Sequence, residues 1–505
     1  MYQFVFFTDI TDTIFVTKII GAYKCAHMLR TNGYSCLVVD HFHTYSKEEL
    51  DELLDKIITK ETLGVGFSTT FLRNSNVPVN LDGSQSFSDL PNTTFFPQGK
   101  EVEDHVVTKI KQLNANCKIS IGGTRAVAYS QNKNVDYLLI GFSEGSIVNL
   151  ANHLFNQTPL TNAVRNLWGI TVIDDRRAES HDFKNTAFKW VDSDIINAKV
   201  LPIEIARGCV FKCKFCSYPM NGKQNLDFVK DIDVLREELQ SNYDRYGIYT
   251  YSIVDDTFND NDYKIDLILA AVQQLTFQPI FWAYIRLDLL HSKQHFDKLY
   301  AIGVRACYFG IETLNKKAGA IVGKGMIPEK QIQTLQELRN TYGNKIALHG
   351  SFIIGLPGET IENVTNTFNL VMDETIPLHT FDFKALFIER AGAVAWNSEF
   401  ALNYEKYGYT KIDDEGSHIN WQNDCMTRTQ AFELENNFRT IAHASNRLHI
   451  AGQAMWSLMN YGYSIDYLLN LKHDNVPWHD LSIAKDQYIK QYKQELNKLL
   501  LDSDK

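Results

Sequence analysis

The chain has 505 residues, of which 44% are apolar and 22% charged, and its formal net charge is −10. This length exceeds what one hydrophobic core supports, so we expect two or three domains, and the acidic balance argues against nucleic acid as a partner. No apolar run reaches the ~18 residues that span a bilayer, and the N-terminus lacks the basic region and cleavage site of a secretory signal, which together predict a cytoplasmic protein without a membrane span.

The first 160 residues alternate between short apolar strands and amphipathic helices. The predicted elements, in chain order, are strand 2–7, helix 13–32, strand 35–42, helix 47–58, strand 63–69, helix 101–113, strands 117–124 and 136–143, and helix 144–155. Such alternation predicts a doubly wound, Rossmann-like parallel sheet over residues 1–160. The polar segment 69–100 is long for a connection, so we expect it to be functional or to cover a sheet edge.

Residues 161–200 form a connector with a few strands, and a second series of strands and helices follows it. The series comprises strands 201–206, 248–256, 280–287, 305–312 and 346–359, and helices 227–245, 263–275, 293–303 and 328–343. About six such units in series predict a partial (β/α)6 barrel of the TIM type over 201–390, with the chemistry at the carboxyl ends of its strands. Residues 391–505 begin irregularly and are predicted to be mostly helical.

Three cysteines directly follow the first barrel strand with the spacing C-x3-C-x2-C, namely Cys209, Cys213 and Cys216. Thiolate is the usual protein ligand of iron–sulfur clusters, and a [4Fe–4S] cluster held by three of them keeps one iron open to another ligand. A structural zinc ion is bound by four protein ligands with no open position, and no C-x2-C or H-x3-H pair lies nearby to complete such a site. A zinc knuckle and three unrelated core cysteines are the alternatives.

This spacing, with Phe215 directly before the last cysteine, resembles the cluster motif of the radical S-adenosylmethionine (radical SAM) enzymes. The resemblance implies that the three cysteines bind a [4Fe–4S] cluster, that SAM binds its open iron, and that one electron cleaves SAM to a 5′-deoxyadenosyl radical. It also implies an electron donor such as flavodoxin or ferredoxin as a partner.

Two other strand ends carry charged side chains that the resemblance assigns to SAM. Asp255 and Asp256 end the second barrel strand, and either carboxylate would pair with the SAM amine; alternatively, the pair caps the next turn. Arg286 matches a strand-end arginine of related enzymes, and its planar fork suits the SAM carboxylate.

Two further elements resemble SAM-contacting segments of the same family. Glu312, in the run GIET, would contact the ribose hydroxyls or the amine of SAM. The run FIIGLPGET at 352–360 would line the adenine, and Gly355 would let the backbone turn past it. Considered alone, this run could be a strand followed by a Pro-Gly turn.

The N-terminal half resembles the cobalamin-binding domain that precedes the catalytic domain in one branch of radical SAM enzymes. Gly122 and Gly123 after the fourth strand, and the run GFSEG at 141–145 after the fifth, occupy the places of that domain's glycine turns. The D-x-H-x-x-G motif is missing after the first strand, and His41 and His43 after the second do not fit it. Any doubly wound sheet needs tight glycine turns at its carboxyl edge, so cobalamin is an open third cofactor beside the cluster and SAM.

The leading hypothesis is a radical SAM enzyme that acts on a C–H bond, with cobalamin-dependent methyl transfer to an unreactive carbon as one form. A non-methylating oxidoreductase or cyclase with a vestigial cobalamin domain is the alternative enzyme. A non-catalytic iron–sulfur protein that uses the barrel as a scaffold is the alternative from another class. The substrate is expected to be a small molecule or a peptide of unknown identity.

Overall fold

The computed structural model describes residues 1–10, 16–70, 94–177, 180–223, 228–415 and 418–502. Two sheets of parallel strands with helices packed on them make up most of the molecule, which confirms the α/β class. Among the helices of those ranges, none combines the length and apolar character that crossing a bilayer requires.

The N-terminal sheet has seven strands, all parallel except the last pair. Its strands are β1 (Phe4–Phe7), β2 (Cys36–Val39), β3 (Gly64–Ser68), β4 (Lys118–Gly122), β5 (Tyr137–Gly141), β6 (Ala163–Arg165) and β7 (Thr171–Asp175). Its helices are α1 (Ile20–Thr31), α2 (Lys47–Ile57), α3 (Lys100–Leu113) and α4 (Glu144–Asn156). The strand order β2-β1-β3-β4-β5-β7-β6 confirms the doubly wound sheet.

Helix α1 begins later than the sequence predicts. Residues 16–19 are not helical, and 11–15 lie outside the described residues. The reason lies in Lys18, whose buried ammonium sits 3.4 Å from Asp40 and donates to Tyr23 Oη at 3.1 Å. A buried cation needs such partners, and they hold this segment outside the helix. Most of the polar connection, residues 71–93, also lies outside the described residues.

The second sheet has six parallel strands in sequential order, which is the arrangement of an open (β/α)6 barrel. Its strands are β8 (Val200–Ile203), β9 (Thr250–Ile253), β10 (Ile280–Ile285), β11 (Val304–Glu312), β12 (Ala347–Ile354) and β13 (Thr380–Ala385). Its helices are α5 (Ile232–Tyr246), α6 (Asp262–Val272), α7 (Lys293–Ile302), α8 (Lys316–Val322), α9 (Pro328–Tyr342) and α10 (Ile361–Met372). Strand β13 is not among the predicted strands, although its apolar and polar residues alternate as in a half-buried strand.

The C-terminal region is mostly helical, as predicted, but it also holds a hairpin that was not predicted. Its elements are α11 (Glu399–Asn403), β14 (Thr410–Glu415), β15 (His418–Gln422), α12 (Arg428–Ala444), α13 (Gln453–Asn460), α14 (Ile465–Leu469) and α15 (Trp478–Asp502). Helix α15 returns to the N-terminal sheet, where Tyr492 Oη accepts the Asp40 amide at 2.8 Å and Leu496 is buried in the core. The region therefore packs on the N-terminal sheet as well as on the barrel.

A buried network of ion pairs joins the N-terminal sheet to the barrel. Its three cations and three carboxylates are Lys24, Arg207 and Lys230, and Glu144, Glu204 and Glu238. Arg207 contacts Glu144 of α4, and its Nε lies 3.1 Å from Glu204 after β8. Phe183 packs against the cations, with its ring centroid 4.4 Å from the Arg207 guanidinium carbon. Because charges of both signs are matched, the network can be buried at the junction.

Glu144 makes this junction sensitive to acid. Burial alone would raise its pKa, but Arg207 and Lys24 outweigh that effect and lower the pKa from 4.5 to about 2. Because the pKa of Glu144 is lower in the folded than in the unfolded protein, its ionised carboxylate stabilises the fold at pH values above about 4.5. That stabilisation is lost as the pH falls from about 4.5 toward 2.

We therefore expect the stability of Glu144→Gln to depend less on pH below pH 5 than the stability of the wild type does. The urea midpoint of the cluster-free protein should fall between pH 5 and pH 3 in the wild type and fall less in the variant. The difference corresponds to about 3 kcal/mol over the full window. Parallel profiles for the two proteins would contradict the role assigned to Glu144.

Candidate cluster and cofactor site

The three cysteines lie on the loop that leaves β8, and contacts to the barrel fix this loop. Cys209 is buried, and its Sγ lies 3.3 Å from Thr257 Oγ1 at the end of β9. Arg286 Nη1 donates to Cys213 Sγ at 3.4 Å. Lys214 N donates to Val322 O at the end of α8 at 3.1 Å. The loop thus lies across the carboxyl ends of β9 and β10, as the sequence analysis expected of a functional segment.

The donor set fits an iron–sulfur cluster. Burial raises the pKa of the Cys216 thiol to about 12 and also raises that of Cys209, so thiolates there need a cationic partner, which a metal supplies. Within the described ranges, no three His, Cys, Asp or Glu side chains converge on a point that a single metal ion could occupy. Convergence is not required of cluster ligands, since each thiolate binds a separate iron. Phe215, which lies between Cys213 and Cys216 in the sequence, is half-buried and packs against the hydrophobic core.

Asp255 and Asp256 are neighbours in sequence but lie in different surroundings. Asp255 is buried, and its Oδ1 accepts the Ile205 and Ala206 amides at 2.7 and 3.0 Å. Its Oδ2 lies 2.8 Å from the buried ammonium of Lys264. Asp256 has no ion pair with a described residue, and burial, followed by repulsion from Asp255, raises its pKa to about 7. Asp255 therefore holds the start of the cysteine loop, and Asp256 remains available to a ligand.

Arg286 is fixed beside the cysteine loop by two neighbours. Its Nε donates to Asp288 Oδ1 at 2.8 Å, and its guanidinium carbon lies 3.6 Å from the centroid of the Phe211 ring. The side chain is 5% exposed in all. The Asp288 pair holds one edge of the guanidinium, so the edge carrying Nη1 faces Cys213 and any group bound next to it.

Glu312 ends β11 in a strained conformation. Its φ is +67°, which is uncommon for a non-glycine residue, and the register between β11 and β12 shifts between Gly310 and Glu312. Burial raises the pKa of its carboxyl, although Lys324 lies 3.3 Å away and opposes that shift. Irregular strand ends re-aim side chains, so the strain at Glu312 points to a functional position.

Gly355 lies under the C-terminal hairpin. Its φ is +103°, and a Cβ added there would lie 2.3 Å from Cη2 of Trp421 in β15. Its carbonyl accepts Tyr409 Oη at 2.8 Å and Asn423 Nδ2 at 3.2 Å. Only glycine suits both the backbone angle and the approach of Trp421.

Gly355→Ala should destabilise the protein by about 2–4 kcal/mol, from backbone strain and overpacking together. Gly408→Ala is the matched control, because Gly408 has a φ of +81° but nothing within 4 Å of its added Cβ. Thermal unfolding of both variants separates the two effects. Equal losses in the two variants would mean that Trp421 does not restrict this position.

Gly122 and Gly123 end β4, on the N-terminal sheet. The Gly122 carbonyl accepts both the amide and the hydroxyl of Thr69 at 2.9 Å. Gly123 has a φ of +106°, and an added Cβ would lie 2.6 Å from Thr70 Oγ1. Close approach of the β3 loop therefore accounts for glycine at Gly123 without a cofactor.

This edge of the N-terminal sheet nevertheless faces the cysteine loop. Glu389 hydrogen-bonds Ser217, directly after Cys216, and interacts with Arg125 beside β4. The Ala395 amide donates to Thr124 O at 2.8 Å. The segment after β13 thus bridges the two carboxyl edges, and a group bound at one edge would lie near the other.

The carboxyl end of β1 carries buried polar atoms that fit a polar ligand. Thr8 Oγ1 and Asp9 Oδ1 have no hydrogen-bond partner among the described residues, and neither has His41 Nε2 after β2. The other oxygen of Asp9 contacts His43 Nδ1 at 2.6 Å. Buried polar groups of this kind need partners, and the amide side chains of a corrinoid could supply them.

Several contact residues of the site escaped the sequence analysis. Thr257 touches Cys209, Phe211 lies under Arg286, and Lys324 pairs with Glu312. Each is far in sequence from at least one partner, and none carries a local pattern of its own. Trp421 lies in the hairpin that was not predicted.

A family model described as "Radical SAM superfamily" matches residues 203–371. An uncharacterized methyltransferase of Pyrococcus horikoshii is 29% identical over 218 residues, which are 41% of this chain and 44% of that protein. The bacteriochlorophyllide d C-12(1)-methyltransferase of Chlorobaculum tepidum is 21% identical over 188 residues, 36% of this chain and 40% of that one. The matched segments thus span less than half the length of these two relatives.

Two solved structures share the fold over nearly the whole chain. One is the radical SAM methyltransferase TsrM from Kitasatospora setae, solved with cobalamin and a [4Fe–4S] cluster bound. Its TM-score is 0.65 at 13% identity, covering 98% of this chain and 100% of that one. The other is the cobalamin-dependent radical enzyme OxsB, with a TM-score of 0.60 at 11% identity, covering 98% and 81%. The order of a doubly wound sheet followed by a (β/α)6 barrel is therefore common to all three.

Proposed function

We propose that this chain, whose residues 203–371 match the radical SAM superfamily, is an enzyme in which Cys209, Cys213 and Cys216 hold a [4Fe–4S] cluster that binds SAM. The observation that carries this proposal is the cysteine loop lying across the strand ends, with Arg286 donating to Cys213. When bound, the cluster and SAM supply a one-electron reductive cleavage that yields a 5′-deoxyadenosyl radical. An external one-electron donor such as flavodoxin or ferredoxin is the partner this chemistry requires.

The residues around the loop divide the recognition of SAM among them. Asp256, which forms no ion pair with a described residue, would bind the amine of SAM, and the open edge of Arg286 would bind the carboxylate of SAM. The Glu312 carboxylate, which pairs with Lys324, would accept hydrogen bonds from the ribose hydroxyls of SAM. The turn at Gly355, fixed by Trp421, would give the adenine a flat wall.

We further propose that the reaction is cobalamin-dependent methyl transfer to an unreactive carbon. Support comes from the carboxyl edge of the N-terminal sheet, which faces the cysteine loop through Glu389 and carries polar atoms of Thr8 and Asp9 that have no partner among the described residues. The alternative is a non-methylating oxidoreductase or cyclase. The glycines at 122 and 123 favour neither, since their contacts are within the chain.

Anaerobic reconstitution with iron, sulfide and hydroxocobalamin tests the proposal. The desalted protein is assayed for corrinoid absorbance and then, with dithionite and SAM, for 5′-deoxyadenosine and S-adenosylhomocysteine. Retained corrinoid with both products supports methyl transfer. 5′-Deoxyadenosine without retained corrinoid supports the non-methylating alternative, and absence of both a cluster and SAM cleavage would contradict the enzyme assignment.

A further inference from the structure

The inner face of the barrel sheet is built in layers. Trp282 of β10, Ala306 of β11 and Ala347 of β12 form the lowest layer and share a buried cluster with Met455 and Trp456 of α13. Side chains two residues further along each strand lie on the same face, one layer closer to the carboxyl ends. Helix α13 therefore closes the barrel from the amino side.

The next layer is aromatic. Strand register places Tyr284 beside Tyr308 and Tyr308 beside His349, and both ring pairs have centroids 4.9 Å apart. Gln453, the first residue of α13, donates to Tyr284 Oη at 3.1 Å. A Cβ added at Gly452 would lie 2.2 Å from the Tyr308 ring. The start of α13 thus contacts the aromatic layer from the amino side of the barrel. The opposite side of the layer faces the carboxyl ends of the strands.

A buried carboxylate comes directly above this aromatic layer. Asp382 of β13 is paired in register with Ser351 of β12 and is 4% exposed. Its Oδ1 accepts no hydrogen bond from a described residue, and it lies 3.4 Å from His349 Nε2, which likewise has no hydrogen-bond partner there. No Lys or Arg among the described residues forms an ion pair with Asp382, whereas Lys384 on the same strand pairs with Glu435 at 2.8 Å. His349 and Ser351 also interact with the Asp382 carboxyl, so what this buried carboxylate lacks among the described residues is an ion pair with a lysine or arginine.

We propose that Asp382 and the layer of Tyr284 and Tyr308 form the substrate site, and that the substrate is a small molecule carrying a protonated amine next to a planar ring. The carboxylate would bind the ammonium through a charge-assisted hydrogen bond, and the tyrosine faces would contact the ring and the cation. The site lies on the inner face of the sheet whose carboxyl ends carry Asp256 and Glu312. This inference rests on the proposed function, which assigns those two carboxylates to SAM and leaves Asp382 to the substrate.

The charge around the site favours a cation over an anion. Glu312 pairs with Lys324, and Arg286 pairs with Asp288. Asp256 and Asp382 have no such pair with a described lysine or arginine. Asp256 is assigned to the SAM amine, which leaves Asp382 as the carboxylate that faces the substrate, and an anionic substrate would meet repulsion from it.

Two phenylethyl probes of opposite charge test the inference on the full-length, reconstituted protein in the presence of SAM. 2-Phenylethylamine should bind saturably in isothermal titration calorimetry, and 3-phenylpropanoate should not. Asp382→Asn should weaken the amine by about tenfold or more, Tyr308→Leu should weaken it as well, and Asp382→Glu should retain most of the affinity. Cluster absorbance and SAM binding should stay at wild-type levels in all three variants.

The two probes are compared on the wild-type protein, so a folding defect in a variant cannot affect this comparison. No saturable binding of the amine, equal binding of both probes, or unchanged affinity in Asp382→Asn would overturn the inference. Failure of the proposed function would be distinct, because it would show as a wild-type protein without cluster absorbance and without SAM cleavage.

Discussion

Arg207→Met is expected to cost about 3–5 kcal/mol of folding free energy, because it leaves carboxylates buried without their cation. Arg207 is 2% exposed and contacts both Glu144 and Glu204. Its guanidinium carbon lies 4.2 Å from the ring centroid of Phe142 and 4.4 Å from that of Phe183. Since Arg207 is also two residues before Cys209, iron content after reconstitution should fall together with the unfolding midpoint.

Arg245→Met is the matched control for this experiment. Arg245 also forms an ion pair, with Asp192 at 2.8 Å, but its side chain is 39% exposed. Exposed pairs contribute less than about 1 kcal/mol, so this variant should stay close to the wild type. Glu144→Gln combined with Arg207→Met should recover part of the loss, because it removes one unpaired charge. Equal losses in Arg207→Met and Arg245→Met would contradict the importance of the buried network.

Asp255→Asn is expected to lose stability, whereas Asp256→Asn is expected to lose affinity for SAM. Asp255→Asn removes the charge that pairs with Lys264 and weakens the two hydrogen bonds that hold the start of the cysteine loop. It should cost about 3 kcal/mol or more and lower the recovery of folded protein. Asp256→Asn should leave the unfolding midpoint and the iron content unchanged, and weaken SAM binding by about ten- to hundredfold.

Urea unfolding, iron content and equilibrium dialysis with labelled SAM separate the two outcomes. The same stability loss in both variants would mean that Asp256, too, is a structural residue. Wild-type SAM affinity in Asp256→Asn would remove this carboxylate from the proposed SAM site.

The sequence predicted both sheets because their strands and helices alternate with clear periods. It did not predict β13, although Phe381 and Phe383 alternate with Asp382 and Lys384 as residues of a half-buried strand do. Asp382, on the polar face of this strand, is the residue that the substrate inference uses. The hairpin of β14 and β15 was missed in the irregular start of the C-terminal region, and with it the contact of Trp421 with Gly355.

Local motifs located the candidate site but could not divide its roles. The spacing of the cysteines is a local signal, and the loop lies where that signal predicted. Asp255 and Asp256 look equivalent in sequence, and they differ only because Lys264 and the end of β8 meet one of them. Glu144, in a run that resembles a cobalamin turn, contacts Arg207 in the structure. Long-range pairs of this kind leave no trace in the sequence around either partner.

The most direct test of the central claim is 5′-deoxyadenosine formation by the reconstituted protein with SAM and dithionite. Wild-type protein should form the product, Cys213→Ala should form none above background, and Cys425→Ala, which removes a cysteine outside the loop, should match the wild type. Product that persists in Cys213→Ala, or no product from a wild-type protein with a full cluster, would contradict the assignment of this loop to radical SAM chemistry.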